Sequence, residues 1–517
     1  MRNTHTIAML PILSFLSLFL DPCIFLSTGV FFLVRRLVLR YLKTHRLSYE
    51  PPKGPSGKMH HRMIYGYLNE IGKYGHMQFA ELAKQYGPIY EIRLGQKRVV
   101  VLNEYNLIRQ AFRLEAFSGR PDTALTELLK GRGIINSTGP LWEEQRNFLH
   151  SMLRNFGAKN SGKNRIPMER NIQNQVDEFL SEMYETRGAP IRIRPKLTRG
   201  VSNVVGLMLM NKTFETATED FQRMVLLIEE GFTLLTTAIP VNYISFLRYI
   251  PFWNHGYIKM KQNKAETEAY FAKIVEEHKR TFDPNNIRDF IDAFLLEKQK
   301  AENEQKENFF TEKQLLQVLG DIYSAGLETV TSTLEWTIVF LLRHPEVQER
   351  VHEEIDDIIG QDRKPDLSDM SHLPYTEAML LEVQRIATVI PLGNPHACIQ
   401  NAKLGGYLIE KGTHVMSNLW AVHMDPNLWD KPDEFNPERF LVNDRVVKPP
   451  YFMPFSVGRR MCVGDTLARM EIFLFMVSLL QKFKLCVPEG HDPPSRDGNC
   501  GISFTANPFT VCVIPRN

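Results

Sequence analysis

The sequence predicts a mainly α-helical protein with small β-sheets, preceded by an N-terminal membrane segment. Three observations carry this expectation. Residues 7–34 are apolar apart from Asp21 and end in a basic cluster. β-branched runs bounded by turn residues are short, the clearest lying at residues 86–90 and 98–102. Elsewhere helical signals dominate, above all at Thr311-x-x-Gln314, a capping box that opens a long helix running through Trp336 and beyond.

The apolar segment is longer than a signal-peptide core. Arg35, Arg36, Arg40, Lys43 and Arg46 follow it while only Arg2 precedes it, and the positive-inside bias then keeps the rest of the chain in the cytosol. A carboxylate at mid-bilayer costs about 2.5–3.5 kcal/mol, so Asp21 and Pro22 call for a kinked span or a shallow re-entrant hairpin. Residues 1–46 are therefore expected to be a membrane anchor with a basic stop-transfer flank. Residues 47–60 form a proline-rich linker, in which Pro51, Pro52 and Pro55 fix their own φ and restrict their neighbours. No composition break follows, so residues 61–517 are expected to form one unit.

With 517 residues, 43% hydrophobic and 23% charged, that unit can bury a substantial core. The 62 Lys and Arg against 59 Asp and Glu leave a formal charge of +3, too balanced to make nucleic acid the expected partner. Six scattered cysteines lack a CxxC pair and are expected to be reduced. No close Cys or His spacing suits structural zinc. Residues 297–313 are strongly charged and are expected to be an exposed connection.

The chemistry concentrates near the C-terminus. Phe455, Gly458, Arg460, Cys462 and Gly464 stand at fixed spacing, followed by a helical Leu467-Ala468-x-x-Glu471. Glycines permit close backbone approaches, and a thiolate gains from cations and a following helix N-terminus. The pattern F-x-x-G-x-R-x-C-x-G is similar to the haem-ligand signature of the cytochrome P450 family. At roughly one in twenty per position, five matches arise by chance in on the order of one in 10⁴ chains of this length.

Four further motifs resemble that family in the correct order. Trp142-x-x-x-Arg146 puts indole and guanidinium on one helical face. Glu382-x-x-Arg385 and Arg439, in Pro437-Glu438-Arg439-Phe440, resemble the family's buried Glu-Arg-Arg network, a structural role. His396 closes a Pro391-Leu392-Gly393-Asn394-Pro395-His396 stretch, with Asn394 departing from the usual aliphatic residue. Ala325-Gly326-Leu327-Glu328-Thr329 resembles the [A/G]-G-x-[D/E]-T helix. There Gly326 would leave room for dioxygen and substrate, and Thr329 would hydrogen-bond back to its own helix. The resemblance implies a P450 fold around haem b, with Cys462 as the iron ligand and Trp142, Arg146, His396 and Arg460 as further cofactor contacts. It also implies Thr329 and Glu328 as the catalytic pair, Thr329 organising a water and Glu328 relaying protons toward solvent.

No G-x-G-x-x-G or G-x-x-x-x-G-K-[ST] fingerprint is present. The resemblance supplies the missing electrons from a separate NADPH-dependent flavoprotein reductase, docking near Arg459, and places the chain in the endoplasmic reticulum membrane among lipid. It implies a small hydrophobic substrate, with residues 224–253 as a lid touching the bilayer. The Cys462 neighbourhood and His423-Met424-Asp425-Pro426-Asn427-Leu428-Trp429 look most like arthropod ecdysteroid hydroxylases. A steroid hormone is thus the leading substrate, and a xenobiotic or fatty acid the runner-up. A haem-thiolate isomerase or dehydratase, or a haem sensor without catalysis, would need no NADPH. The first also often lacks the acid–alcohol pair kept here as Glu328 and Thr329.

Overall fold

The computed structural model describes residues 52–55, 65–158, 165–214, 218–237 and 239–516. Its longer helices are α1 (Gly75–Tyr86), α2 (Tyr105–Arg113), α3 (Gly139–Asn155), α4 (Ile166–Glu185), α5 (Arg194–Met210), α6 (Glu219–Thr237), α7 (His255–Thr281), α8 (Phe290–Asn303), α9 (Glu312–Arg343), α10 (Pro345–Ile358), α11 (Pro374–Ala387) and α12 (Asp465–Lys482). The expected membrane segment with its flank, and most of the linker, lie outside the described residues. Among those described, no helix is long and apolar enough to cross a membrane.

Helices apolar on every face have to be wrapped by others. From Leu327 to Leu342, α9 is buried all round apart from Thr329, and α12 is nearly as enclosed from Met470 to Gln481. They share one apolar core with side chains from α3, α4, α5 and α11. The small sheets lie to the side. β1 (Ile89–Leu94) and β2 (Lys97–Leu102) form an antiparallel hairpin; β2 pairs in parallel with β6 (His414–Ser417), which pairs antiparallel with β3 (His396–Ala397). Two-stranded ladders complete the β structure: β4 (Ala402–Leu404) with β5 (Tyr407–Ile409), β7 (Leu441–Val442) with β8 (Arg445–Val446), β9 (Phe483–Cys486) with β12 (Cys512–Pro515), and β10 (Gly498–Cys500) with β11 (Phe504–Ala506). The expected mainly helical class with small sheets is what the chain adopts.

Two local expectations need correction. The charged residues 297–313 are not mainly a connection, because α8 continues to Asn303. Asp289 caps it by accepting the Asp292 N–H at 3.0 Å, Phe290, Ile291 and Phe294 anchor one face, and Glu297 and Lys300 pair at 2.8 Å. The capping box at α9 is half made. Thr311 accepts the Gln314 N–H at 3.2 Å, but the Gln314 side chain does not return to Thr311. It bonds both backbone groups of Gly133, at 3.0 Å each, tying α9 to the segment before α3.

Candidate functional site

The Cys462 loop is shaped by its backbone. Gly458 has φ +82°, and a Cβ there would lie 2.1 Å from the Phe112 carbonyl oxygen, so only glycine fits against α2. Arg459 N–H donates to that same carbonyl at 3.0 Å, and Cys462 N–H donates to Phe455 O at 3.0 Å. Phe455 in turn lies under the Arg469 guanidinium, 4.7 Å away. Cys462 itself is a free, exposed cysteine, yet burial is the largest influence on its thiol and pushes the pKa up. An accessible group hemmed in by protein marks a concave wall. Against burial and the charge of Asp465, the Gly464 backbone hydrogen bond, Arg146 and Arg469 favour the thiolate.

Around this loop the chain gathers cations. Trp142 and Arg146, one turn apart on α3, both address it: the Arg460 guanidinium lies 3.8 Å from the Trp142 ring, and Arg146 Nη2 donates to Met461 O at 2.7 Å. Arg460 is buried and donates to Ser118 O at 2.8 Å and Ser137 O at 2.6 Å. His396 is stacked on Phe112 at 3.8 Å, with Nδ1 2.7 Å from Phe117 O. Burial, then Arg120 and Arg460, hold its pKa well below the usual histidine range, so it is neutral.

Arg120 belongs to this group and sequence reasoning missed it. It donates to Ile135 O at 2.7 Å and Pro395 O at 2.8 Å. Burial and Arg146 push it down to about 9, and burial, Arg120 and Arg146 push Arg460 down to about 8. Arginine does not give up its proton within a protein, so these shifts express positive charge that is buried first and crowded second. Among the described residues, none of Arg120, Arg146 and Arg460 forms an ion pair with a carboxylate. A group that brings two carboxylates and a metal with affinity for sulfur fits this set, and haem is such a group: Cys462 could hold the iron and the three arginines the propionates, whose charge would favour a protonated His396 that donates from Nε2. The sequence signal for Arg120 was its place between Gly119 and Pro121. Gly119 bridges Ala397 beside His396, and a Cβ there would lie 2.8 Å from the Ala397 carbonyl oxygen.

Glu328 and Thr329 form a second cluster, on α9. Thr329 Oγ1 donates to Ala325 O at 2.8 Å, the expected bond to its own helix. Ile322, Ala325, Gly326 and Thr329, spaced as one helical face, stay partly open along the centre of α9. At Gly326 a Cβ would meet Val205 Cγ2 of α5 at 3.0 Å, so the glycine also serves helix packing. Glu328 is buried, with Oε2 2.9 Å from Arg194 Nη2 on α5. The same guanidinium holds Glu335 at 2.8 Å and, at 4.0 Å, the more exposed Glu229 of α6. Three carboxylates thus share one arginine, which no local pattern announced. Burial raises Glu335 to about 7; Arg194 opposes the shift, and Glu328 and Glu229 reinforce it.

The Glu-Arg-Arg network is closed as anticipated. Arg385 Nε and Nη2 meet the Glu382 carboxylate at 2.7 and 2.8 Å in the interior, and the partly buried Arg439 meets it through Nε at 3.0 Å. Arg459 is a surface residue paired with Glu143 at 3.1 Å. His278, Asp289 and Asp292 cluster as metal ligands do, but their atoms are already engaged: His278 with Ile274 O and Asp289 at 2.8 Å each, Asp292 with Arg288 at 2.6 Å.

Comparison with known proteins gives consistent answers. The model of the family described as Cytochrome P450 matches residues 55–513. "Cytochrome P450 18a1" of Drosophila melanogaster is 42% identical over 487 residues, covering 93% of this chain and 89% of that protein. "Cytochrome P450 2U1" of Rattus norvegicus is 36% identical, covering 85% and 83%, and "Cytochrome P450 2D6" of Homo sapiens 36%, covering 85% and 88%.

Proposed function

This chain belongs to the cytochrome P450 family, and on that premise we propose that it hydroxylates a steroid of the ecdysteroid type. It is a monooxygenase of the haem-thiolate class, supplied with NADPH electrons by a separate reductase. Cys462, held between Phe455 and Gly464 among unpaired arginines, is the observation that carries the assignment of the site. The bound haem supplies dioxygen cleavage and insertion of one oxygen atom into a C–H bond, assisted by electron donation from the thiolate.

The protein's own groups set the conditions. Burial and Asp465 raise the Cys462 pKa, Gly464 N–H, Arg146 and Arg469 partly offset them, and the shift to thiolate would be completed as the sulfur becomes the ligand of the iron. Arg120, Arg146 and Arg460 orient the cofactor through its carboxylates, whose negative charge would favour protonation of His396 and let Nε2–H donate to them, Nδ1–H being held by Phe117 O. Thr329 gives its one proton to Ala325 O, so it positions a water by accepting from it. Glu328 is the acidic partner in the relay, and Arg194, which keeps its own proton, holds it beside the half-exposed Glu229.

The remaining parts of the reading concern the surroundings. Beyond α6 an apolar surface stands open: Tyr249 is 78% exposed, Phe252 96% and Trp253 52%. Such a patch supports the lid at residues 224–253 and its contact with the endoplasmic reticulum bilayer. The anchor at residues 1–46 would hold the catalytic unit on the cytosolic side. The reductase docks on the Cys462 side near Arg459 by opposite charge. For the substrate, the support is the resemblance around Cys462 and Trp429, with greater identity to the Drosophila relative than to the mammalian ones. The test is mass spectrometry of products after membranes carrying the protein, the reductase and NADPH meet ecdysteroids, fatty acids and model xenobiotics. Selective addition of one oxygen to an ecdysteroid is expected; turnover spread over unrelated compounds, or confined to fatty acids, overturns the steroid assignment.

A further inference from the structure

Cys486 on β9 and Cys512 on β12 stand directly opposite each other in the antiparallel register, and such partners project to the same face. Two neighbours fix the kind of pair. Pro515, opposite Phe483, has no N–H to exchange. Leu485, opposite Val513, gives its N–H to Gln348 Oε1 at 2.7 Å, and its carbonyl accepts Gln348 Nε2 at 3.1 Å. Both are therefore non-hydrogen-bonded pairs. By alternation, Cys486 and Cys512 form a hydrogen-bonded pair with Cα atoms about 5.5 Å apart, inside the span of about 4.4–6.8 Å that a disulfide bridges. Both thiols are free and partly exposed, and the proximity of Cys486 is among the influences that raise the Cys512 pKa, after burial.

We propose that Cys486 and Cys512 are a reversible redox pair, closed by hydrogen peroxide and opened by a dithiol. One thiolate attacks a peroxide oxygen, the O–O bond breaks with loss of hydroxide, and a sulfenic acid forms. The second thiol displaces that oxygen as water and forms the S–S bond. In sum, two thiols are oxidised and one peroxide is reduced to two waters. Cross-strand Cβ atoms are wider apart in a hydrogen-bonded pair than in the other kind, so the bond forms with the ladder drawn in and is readily reduced.

What closes is the segment that carries the β10–β11 hairpin. Ser503 at its tip has Oγ 3.4 Å from Glu328 Oε1, Phe504 O accepts Trp336 Nε1 at 2.9 Å, and Phe504 N–H donates to Val389 O at 2.7 Å. Oxidation therefore stiffens a loop that touches α9 beside Thr329.

The experiment takes the full-length, haem-loaded protein in membranes. It is exposed to hydrogen peroxide at a dose that fully oxidises glutathione in a parallel sample, then alkylated and digested with chymotrypsin without reduction. Cuts after Phe504 or Phe509 separate Cys500 from Cys512. A Cys486–Cys512 linked peptide is expected, lost on dithiothreitol treatment and absent from Cys486→Ser and Cys512→Ser, with severalfold slower amide exchange across residues 498–506 in the oxidised form. Alkylation of both cysteines as free thiols, or a bridge to Cys500 instead, overturns the pair. Unchanged exchange overturns its effect on the hairpin.

Discussion

Thr329 has one hydroxyl proton, and the Ala325 carbonyl takes it at 2.8 Å. The oxygen that remains can only accept, so its part is to hold a water in place. Thr329→Ala is expected to leave NADPH consumption running while product falls, read as the ratio of product formed to NADPH consumed; an unchanged ratio removes Thr329 from the mechanism. Arg120 is the residue whose role is newest. Losing a charged hydrogen bond costs about 1.5–3 kcal/mol, so Arg120→Leu should speed haem loss about tenfold to a hundredfold. That rate is measured by transfer of haem to an acceptor protein, and a rate equal to the parent's rules the contact out. At this scale the sequence was legible where contacts are local. Trp142 and Arg146 share a face because they are one turn apart. Arg120 was not legible, because its partners Asn394 and Pro395 lie more than 270 residues away. Gly326 was legible as a position needing a glycine, but only the packed helix shows that Val205 is one reason.

Between elements, the junction of α5, α6 and α9 holds Glu229, Glu328 and Glu335 on the single cation Arg194. Removing one partner of a buried ion pair costs about 3–5 kcal/mol. Arg194→Met is therefore expected to lower stability by that order in thermal unfolding of the haem-loaded protein, and Glu335→Gln should recover part of the loss. An Arg194→Met protein as stable as the parent contradicts the junction. The pH dependence follows from Glu335, which ionises near 4.5 when unfolded and near 7 in place. Its contribution is present below about pH 4.5 and lost as pH rises through 7. The unfolding temperature of the parent should fall between pH 5 and pH 8 more steeply than that of Glu335→Gln; equal slopes would show that Glu335 is not the group. None of this was readable in advance, since Arg194 and Glu335 are 141 residues apart and ordinary in composition. The charged run at residues 297–313 misled for a related reason. A charged segment marks exposure, and an exposed helix such as α8 satisfies that as well as a loop does.

For the whole molecule, the helical class, the order of motifs and the Cys462 loop were legible because they depend on apolar periodicity and short spacings. The convergence of α3, the Arg120 segment and the His396 strand on that loop was not, because it is made by the sheet order and by contacts distant in the chain. The open apolar face around Phe252 carries its own expectation. Trp142, Trp336 and Trp429 are buried and Trp420 is half-buried against His76, so a quencher confined to the acyl region of vesicles should act mainly on Trp253 of the five tryptophans. Equal quenching in Trp253→Phe contradicts membrane contact there.

The most direct test of the central claim is X-ray absorption at the iron edge of the haem-loaded protein. A sulfur ligand is expected in the parent and in Cys500→Ala, and its loss in Cys462→Ala. Iron bound only by nitrogen and oxygen in the parent, or sulfur that persists without Cys462, would contradict the account.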